Sequence, residues 1–264
     1  MEFLGLLGKT LLLRPYVFLF LAFALATSVW LMGPKRTAIF FLLTWATAFL
    51  CEFSSTRTGI PFGWYFYTGS TRGQELYLSN VPFMDSLSFS FLLFTSYCLA
   101  LVFLLPARGH RLSLELRDNP AIRQSGQVLA LSTLFFVLLD AVIDPVALRG
   151  DRWFLGKIYY YPEPGVHFGV PMANYLGWAV VGLVALGVFQ WIDRCLPDAT
   201  NAPTITRPLL LGCVLYYGVL AFNLAVTFWI NEPVIGTTGF FMYLPITAFL
   251  LLRLAGRMPA PMSS

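Results

Sequence analysis

Seven stretches of this chain are apolar for long enough to cross a lipid bilayer, and that excludes most of what 264 residues can otherwise become. A membrane-spanning helix needs roughly 20 such residues, within a range of about 17–25. The candidate spans are residues 15–32, 38–53, 82–105, 128–146, 170–192, 209–230 and 239–254. The second and seventh are short, which implies little tilt or an end at the interface. Composition points the same way. The chain is 58% hydrophobic and 11% charged, with a mean hydropathy of +0.72, whereas soluble domains are about 25% charged. The expected fold is an all-α integral membrane protein of about seven transmembrane helices, forming one polytopic domain over residues 1–264. A Gly/Pro/aromatic loop follows the second helix and another follows the fourth.

The net charge of +4 is spread over loops and forms no basic patch, so nucleic acid is not an expected partner. Seven spans divide the basic loop residues ten against seven, which favours a cytoplasmic C-terminus in a multi-pass protein of the cell membrane. The first apolar run continues past Ala24-Leu25-Ala26 to Met32, longer than a signal peptide requires, and reads as a retained helix. Cys51, Cys98, Cys195 and Cys213 form no C-x-x-C pair and are expected as buried thiols. With His110 and His167 the only histidines, a multi-histidine metal centre is excluded. The chain also lacks a phosphate-binding G-x-x-x-x-G-K-[ST] loop, a G-x-G-x-x-G fingerprint, a G-x-S-x-G elbow and an H-E-x-x-H zinc motif. No metal or cofactor is expected. Proton chemistry on an apolar molecule, or movement of ions and protons, remains.

The spans dispose their few polar groups unevenly. Glu52 ends the second helix, Asp85 begins the third, Asp140 and Asp144 end the fourth, Asn174 begins the fifth, and Asn231 with Glu232 ends the sixth. An even-numbered helix ends on the face where the next odd-numbered one begins, so all seven groups converge on one membrane face. Two of the connections share a plan. Glu52 is followed by Trp64-Tyr65-Phe66-Tyr67 and then V-P-F-M-D ending at Asp85; Asp140 and Asp144 are followed by Tyr159-Tyr160-Tyr161, His167 and then V-P-M-A-N ending at Asn174, with Trp178 one turn on. The signature is acid, aromatic loop, V-P-x-x-[DN]. It reads as two halves of one site.

An ionisable group costs about 2.5–3.5 kcal/mol at the centre of an inserted helix, so it normally faces a cavity or a partner. Asp140 and Asp144 lie four apart on one helical face, and such a pair can share one proton at neutral pH, as a general acid requires. The candidate catalytic residues are Asp140, Asp144, Glu52 and Asp85. Trp64, Tyr65, Tyr67, Tyr159, Tyr160, His167, Asn174, Trp178, Asn231 and Glu232 are the candidate substrate-binding residues, the aromatic faces suiting a developing cation. Structural alternatives stand beside these. Asp140 or Asp144 can pair with Arg149 or Arg152, Glu52 with Arg57, and the tyrosines can form an interfacial belt.

At these residues, from C-E-F-S-S-T-R-T-G-I-P-F-G-W-Y-F-Y with V-P-F-M-D to D-A-V-I-D-P with Y-Y-Y-P-E-P-G-V-H-F-G-V-P-M-A-N-Y-L-G-W, the chain resembles the membrane-bound carotenoid biosynthesis family. That family contains the bacterial and archaeal carotenoid 1,2-hydratases, of the gamma-carotene and bisanhydrobacterioruberin hydratase type. The resemblance implies acid-catalysed addition of water to the terminal double bond of a linear carotenoid, no redox cofactor, a hydrophobic isoprenoid substrate drawn from the bilayer, and other carotenoid biosynthesis enzymes as partners. Asp140 or Asp144 would donate the proton, and Glu52 and Asp85 would position or activate water. Three other readings share the residues. An isoprenoid end-group cyclase would use the same acids; an intramembrane prenyltransferase would use Asp140-Ala-Val-Ile-Asp144 as a D-x-x-x-D motif, for which a second Asp-rich motif is lacking. A proton-coupled transporter would use the repeat.

Overall fold

The computed structural model describes residues 2–108, 115–197 and 204–256. His110, Arg111 and Arg257 lie outside the described residues. A short apolar helix α1 (Glu2–Leu13) leads into α2 (Pro15–Thr58), which holds the first two expected spans. What separates them is a single residue. Gly33 has φ 79° and ψ 166°, a backbone that residues with a Cβ rarely adopt, and Pro34 after it has no N–H to continue the helical ladder. Ser28 Oγ and Thr37 Oγ1 are 2.9 Å apart across this break, whereas nine residues of straight helix would separate them by about 13 Å at 1.5 Å per residue. Residues 15–32 and 34–58 are therefore two arms folded back on each other.

The remaining spans are α3 (Phe83–Leu104), α5 (Gly126–Ala147), α6 (Met172–Arg194), α7 (Thr206–Trp229) and α8 (Pro233–Leu254), with α4 (Pro120–Arg123) a single turn before α5. Counting α2 once, six helices among the described residues are long and apolar enough to cross a membrane; with its two arms the fold has the seven expected spans. The second and seventh are not short. One continues to Thr58 and the other begins at Pro233, because sequence windows underrate helix ends that carry Thr, Ser and Gly. In α3, 16 of 22 residues are buried, against 6 of 22 in α8, so α3 is the central post and α8 lies at the edge.

Polar contacts fix the two ends. At one, Arg36 at the start of the second arm of α2 meets Asp193 at the end of α6 (2.5 Å), which also accepts from Gln124 (2.8 Å), and Arg253 of α8 donates to the carbonyl of Val102 (3.1 Å). At the other, Arg14 before α2 is fully buried and pairs with Glu75 at 3.1 Å. Three two-residue antiparallel pairs join the loops: β1 (Phe66–Tyr67) with β6 (Tyr159–Tyr160), β2 (Tyr77–Leu78) with β3 (Val81–Pro82), and β4 (Ala107–Arg108) with β5 (Glu115–Leu116). Cys98 and Cys213 are buried and Cys51 half-buried. Cys195 is exposed, since it caps the end of α6 instead of lying within a span.

Candidate active site

The β1–β6 pair brings the two aromatic loops together. Its register sets Tyr67 opposite Tyr159 and Phe66 opposite Tyr160. Strand side chains alternate between faces, so Tyr65, Tyr67, Tyr159 and Tyr161 turn inward while Trp64, Phe66 and Tyr160 turn outward. Tyr65 and Tyr159 are 6% and 8% exposed, against 50% for Trp64 and 42% for Tyr160. The inward rings form a cluster, with Tyr65 centred 5.4 Å from Tyr67 and 6.1 Å from both Tyr159 and Tyr161.

Each half holds its own acids beneath these rings. In the first, the Tyr67 hydroxyl stands between Glu52 Oε1 (2.9 Å) and Asp85 Oδ2 (2.7 Å). In the second, Asp144 accepts from Tyr159, from Tyr161 (2.8 Å) and from Asn174 (3.0 Å), whose amide also donates to Asp140 Oδ2 at 2.7 Å. The V-P-x-x-[DN] turns do the same job twice. Pro82 and Pro171 stand at the N-caps of α3 and α6, which sets Asp85 and Asn174 in the first turn, aimed at the acids. The halves differ at this position. A carboxylate faces Tyr67 in one, and an amide faces the acid pair in the other.

Burial, reinforced by the neighbouring acids, pushes the hydroxyls of Tyr65, Tyr67, Tyr159 and Tyr161 well above the ordinary phenol range. Because the folded value lies above the unfolded one of about 10, their contribution to stability is complete below pH ~10 and is lost as pH rises beyond it. Tyrosinate absorbance is accordingly expected to show these four un-ionised in the folded protein at pH 11, and to rise with unfolding.

Between the halves lies a cavity of about 140 Å³. Its lining includes Glu52, Asp85, Asp140, Asp144, Tyr65, Tyr67, Tyr159, Tyr161, Asn174 and Trp178, and is otherwise mostly apolar. Trp178 stacks on Phe89 at 4.1 Å and lies 4.5 Å from Phe136, forming the floor. Phe62 reaches this floor only because residue 177 is glycine; a Cβ there would lie 2.2 Å from its ring. Two buried oxygens of the lining acids have no hydrogen-bond partner among the described residues: Asp140 Oδ1 and Glu52 Oε2. Asp140 is fully buried and Glu52 is 3% exposed.

The other residues singled out from the sequence lie off the cavity. Glu232 takes Arg149 (3.1 Å) and Arg152, so these arginines do not pair with Asp140 or Asp144. Asn231, at φ 61°, makes the turn between α7 and α8. Arg57 lies 3.4 Å over the Phe53 ring and donates to Ser79, and Glu52 has no cation partner among the described residues. His167 donates from Nε2 to the carbonyl of Ala141 at 3.1 Å. That carbonyl is vacant because Pro145, four residues on, has no N–H. Residues missed from the sequence include Tyr161, which strand alternation from Tyr159 identifies, and Tyr16, Trp153, Phe222 and Asn223, which no local pattern marks.

A bundle of membrane spans enclosing an acid-lined, largely apolar cavity defines a membrane protein built to work on a hydrophobic molecule. The chain belongs to the carotenoid biosynthesis protein family, whose model matches residues 13–245, and is a carotenoid biosynthesis enzyme. It is 30% identical over 234 residues to the bisanhydrobacterioruberin hydratase of Haloarcula japonica, covering 86% of this chain and 71% of that protein. No solved structure matches the chain.

Proposed function

We propose that this enzyme adds water across the terminal 1,2 double bond of a linear carotenoid end group, with Asp140 as proton donor. The observation that carries this is Asp140 Oδ1, a fully buried acid oxygen without a partner, on the wall of an apolar cavity. Hydrogen-bond accounting supports the division of labour. Asp144 accepts three donors, the surroundings of a carboxylate anion. Asp140 accepts one, on Oδ2, which leaves Oδ1 to carry a proton into the cavity. Tyr67 has one proton and two carboxyl neighbours, so one of Glu52 and Asp85 must itself be protonated for both contacts to be hydrogen bonds. That pair then holds one negative charge and can act as a base.

The steps balance without an oxidant or reductant. The π electrons of the double bond take the Asp140 proton onto the less substituted carbon, leaving a tertiary cation beside it. Trp178, Phe89 and the inward tyrosines present ring faces and edges there, and ring faces attract cations. Water bonds to the cation and releases a proton to the Glu52–Asp85 pair; return of a proton to Asp140 closes the cycle. The sum is alkene plus water giving a tertiary alcohol. A diphosphate substrate is less well supported, because the described cavity lining contains no lysine or arginine to meet it. The bisanhydrobacterioruberin hydratase relative adds weight to hydration. The enzyme would work within the cell membrane, where a polyene made by other carotenoid biosynthesis enzymes dissolves.

Expression in a lycopene-producing bacterium is expected to yield a pigment heavier by one water, resolved by chromatography and mass spectrometry. Unaltered pigment from linear, monocyclic and elongated carotenoids, with the protein verified in the membrane, would end the hydration reading.

A further inference from the structure

The cavity is too small for the molecule assigned to it. At about 140 Å³ it matches an engineered cavity of about 150 Å³ that holds one benzene ring, so it encloses an end group of about six carbons and leaves the rest of a linear polyene outside. The strand pair and tyrosines roof its polar end, and Trp178 with Phe89 closes its floor. Toward the first arm of α2 and α7 the wall is different. Tyr16, Phe20 and Phe222 line the cavity there, and Tyr16 and Phe222 pack against Phe154 at 5.4 and 6.2 Å, a ring that is 52% exposed, so little protein separates this wall from the outer surface. Phe222 stacks on Tyr16 at 5.2 Å and meets Phe20 edge-on at 5.8 Å. Leu19 and Trp229 nearby in sequence are 69% and 67% exposed, an apolar surface of the kind that faces lipid.

Resting on the hydration reading, we infer that the polyene tail leaves the cavity between the first arm of α2 and α7, with Phe222 and Tyr16 as the mouth it parts. The seam is a binding subsite for an extended apolar chain. It selects substrates whose carbons behind the reacting end are flat enough to lie between two rings. The end group sits at the acids while the tail lies in the lipid.

The test uses the full chain in lipid nanodiscs, with Tyr16→Cys and Phe222→Cys combined and bridged by a short bifunctional methanethiosulfonate. Each single variant, treated identically, removes the contribution of the native cysteines. Two substrates are offered: a linear carotenoid, and a short alkene with the same trisubstituted end. Bridging is expected to lower carotenoid turnover at least tenfold, to lower turnover of the short alkene by a clearly smaller factor because a short molecule needs the seam only to enter and not to stay parted around a tail, and to be reversed by thiol reduction. Quenching of tryptophan fluorescence by the polyene reports binding without chemistry and should fall in parallel. Full carotenoid quenching in the bridged protein, confirmed by mass, would overturn the passage. If the wild type hydrates neither substrate but quenching still depends on the bridge, the hydration reading fails and the passage stands.

Discussion

Asp140→Asn is expected to lower hydration by about 10²–10⁴-fold, the range that a positioned general acid contributes, while the protein stays folded. The asparagine keeps a carbonyl oxygen to accept from Asn174 at the place of Oδ2, so the buried contact at 2.7 Å survives and only the transferable proton is lost. Asp144→Asn is a different experiment. It sets an amide that must donate against Tyr159 and Tyr161, two hydroxyls that now donate to both carboxylate oxygens, so stability and activity should fall together. Rates on carotenoid extracts and melting curves from the same preparations separate the two. An Asp140→Asn enzyme within tenfold of wild type, beside an inactive but folded Asp144→Asn, would move the donor role to Asp144.

Arg14→Met is expected to cost about 3–5 kcal/mol of stability, the penalty for leaving one member of a buried ion pair alone. Arg14 and Glu75 are both fully buried at 3.1 Å, and Arg14 also donates to the carbonyl of Leu155 at 2.6 Å. Thr10 accepts the N–H of Leu76 at 2.8 Å, so α1, the loop after α2 and the turn near residue 155 are tied at one point. Pairing the change with Glu75→Gln should recover much of the loss, since no charge is then left buried. Thermal unfolding in micelles measures both. A single variant that melts like the wild type would show that water reaches Glu75.

The bundle was legible in the sequence because a bilayer demands long apolar runs, and the candidate site because acids in such runs are rare enough to be noticed. Glu52, Asp85, Asp140, Asp144 and Asn174 were found in this way, and the structure brings all five to one cavity. What was illegible depends on partners far along the chain. Trp64 and Tyr160 were grouped with Tyr65 and Tyr159 because, without the register of β1 on β6, a run of aromatics does not say which faces inward. Glu232 looked like a member of the acidic cluster until Arg149 and Arg152 claimed it. The Arg14–Glu75 pair spans 61 residues and follows no periodicity. Its loop conformation makes the contact, and neither residue alone predicts it.

Every side-chain hydrogen bond made by the four cavity acids stays within its own half of the site. Glu52 and Asp85 are answered by Tyr67, and Asp140 and Asp144 by Tyr159, Tyr161 and Asn174. For a nascent chain threading into lipid this matters, because a lone carboxyl has nothing there to bond to. The first helical hairpin can settle with its acids already hydrogen-bonded to a local partner, Tyr67. The two halves then meet through apolar faces, one pair of short strands, and polar contacts away from these acids, such as Arg36 with Asp193 and Thr68 with the carbonyl of Lys157 at 2.7 Å. Each half satisfies its own cavity acids, and the cavity exists only where the second half is docked against the first.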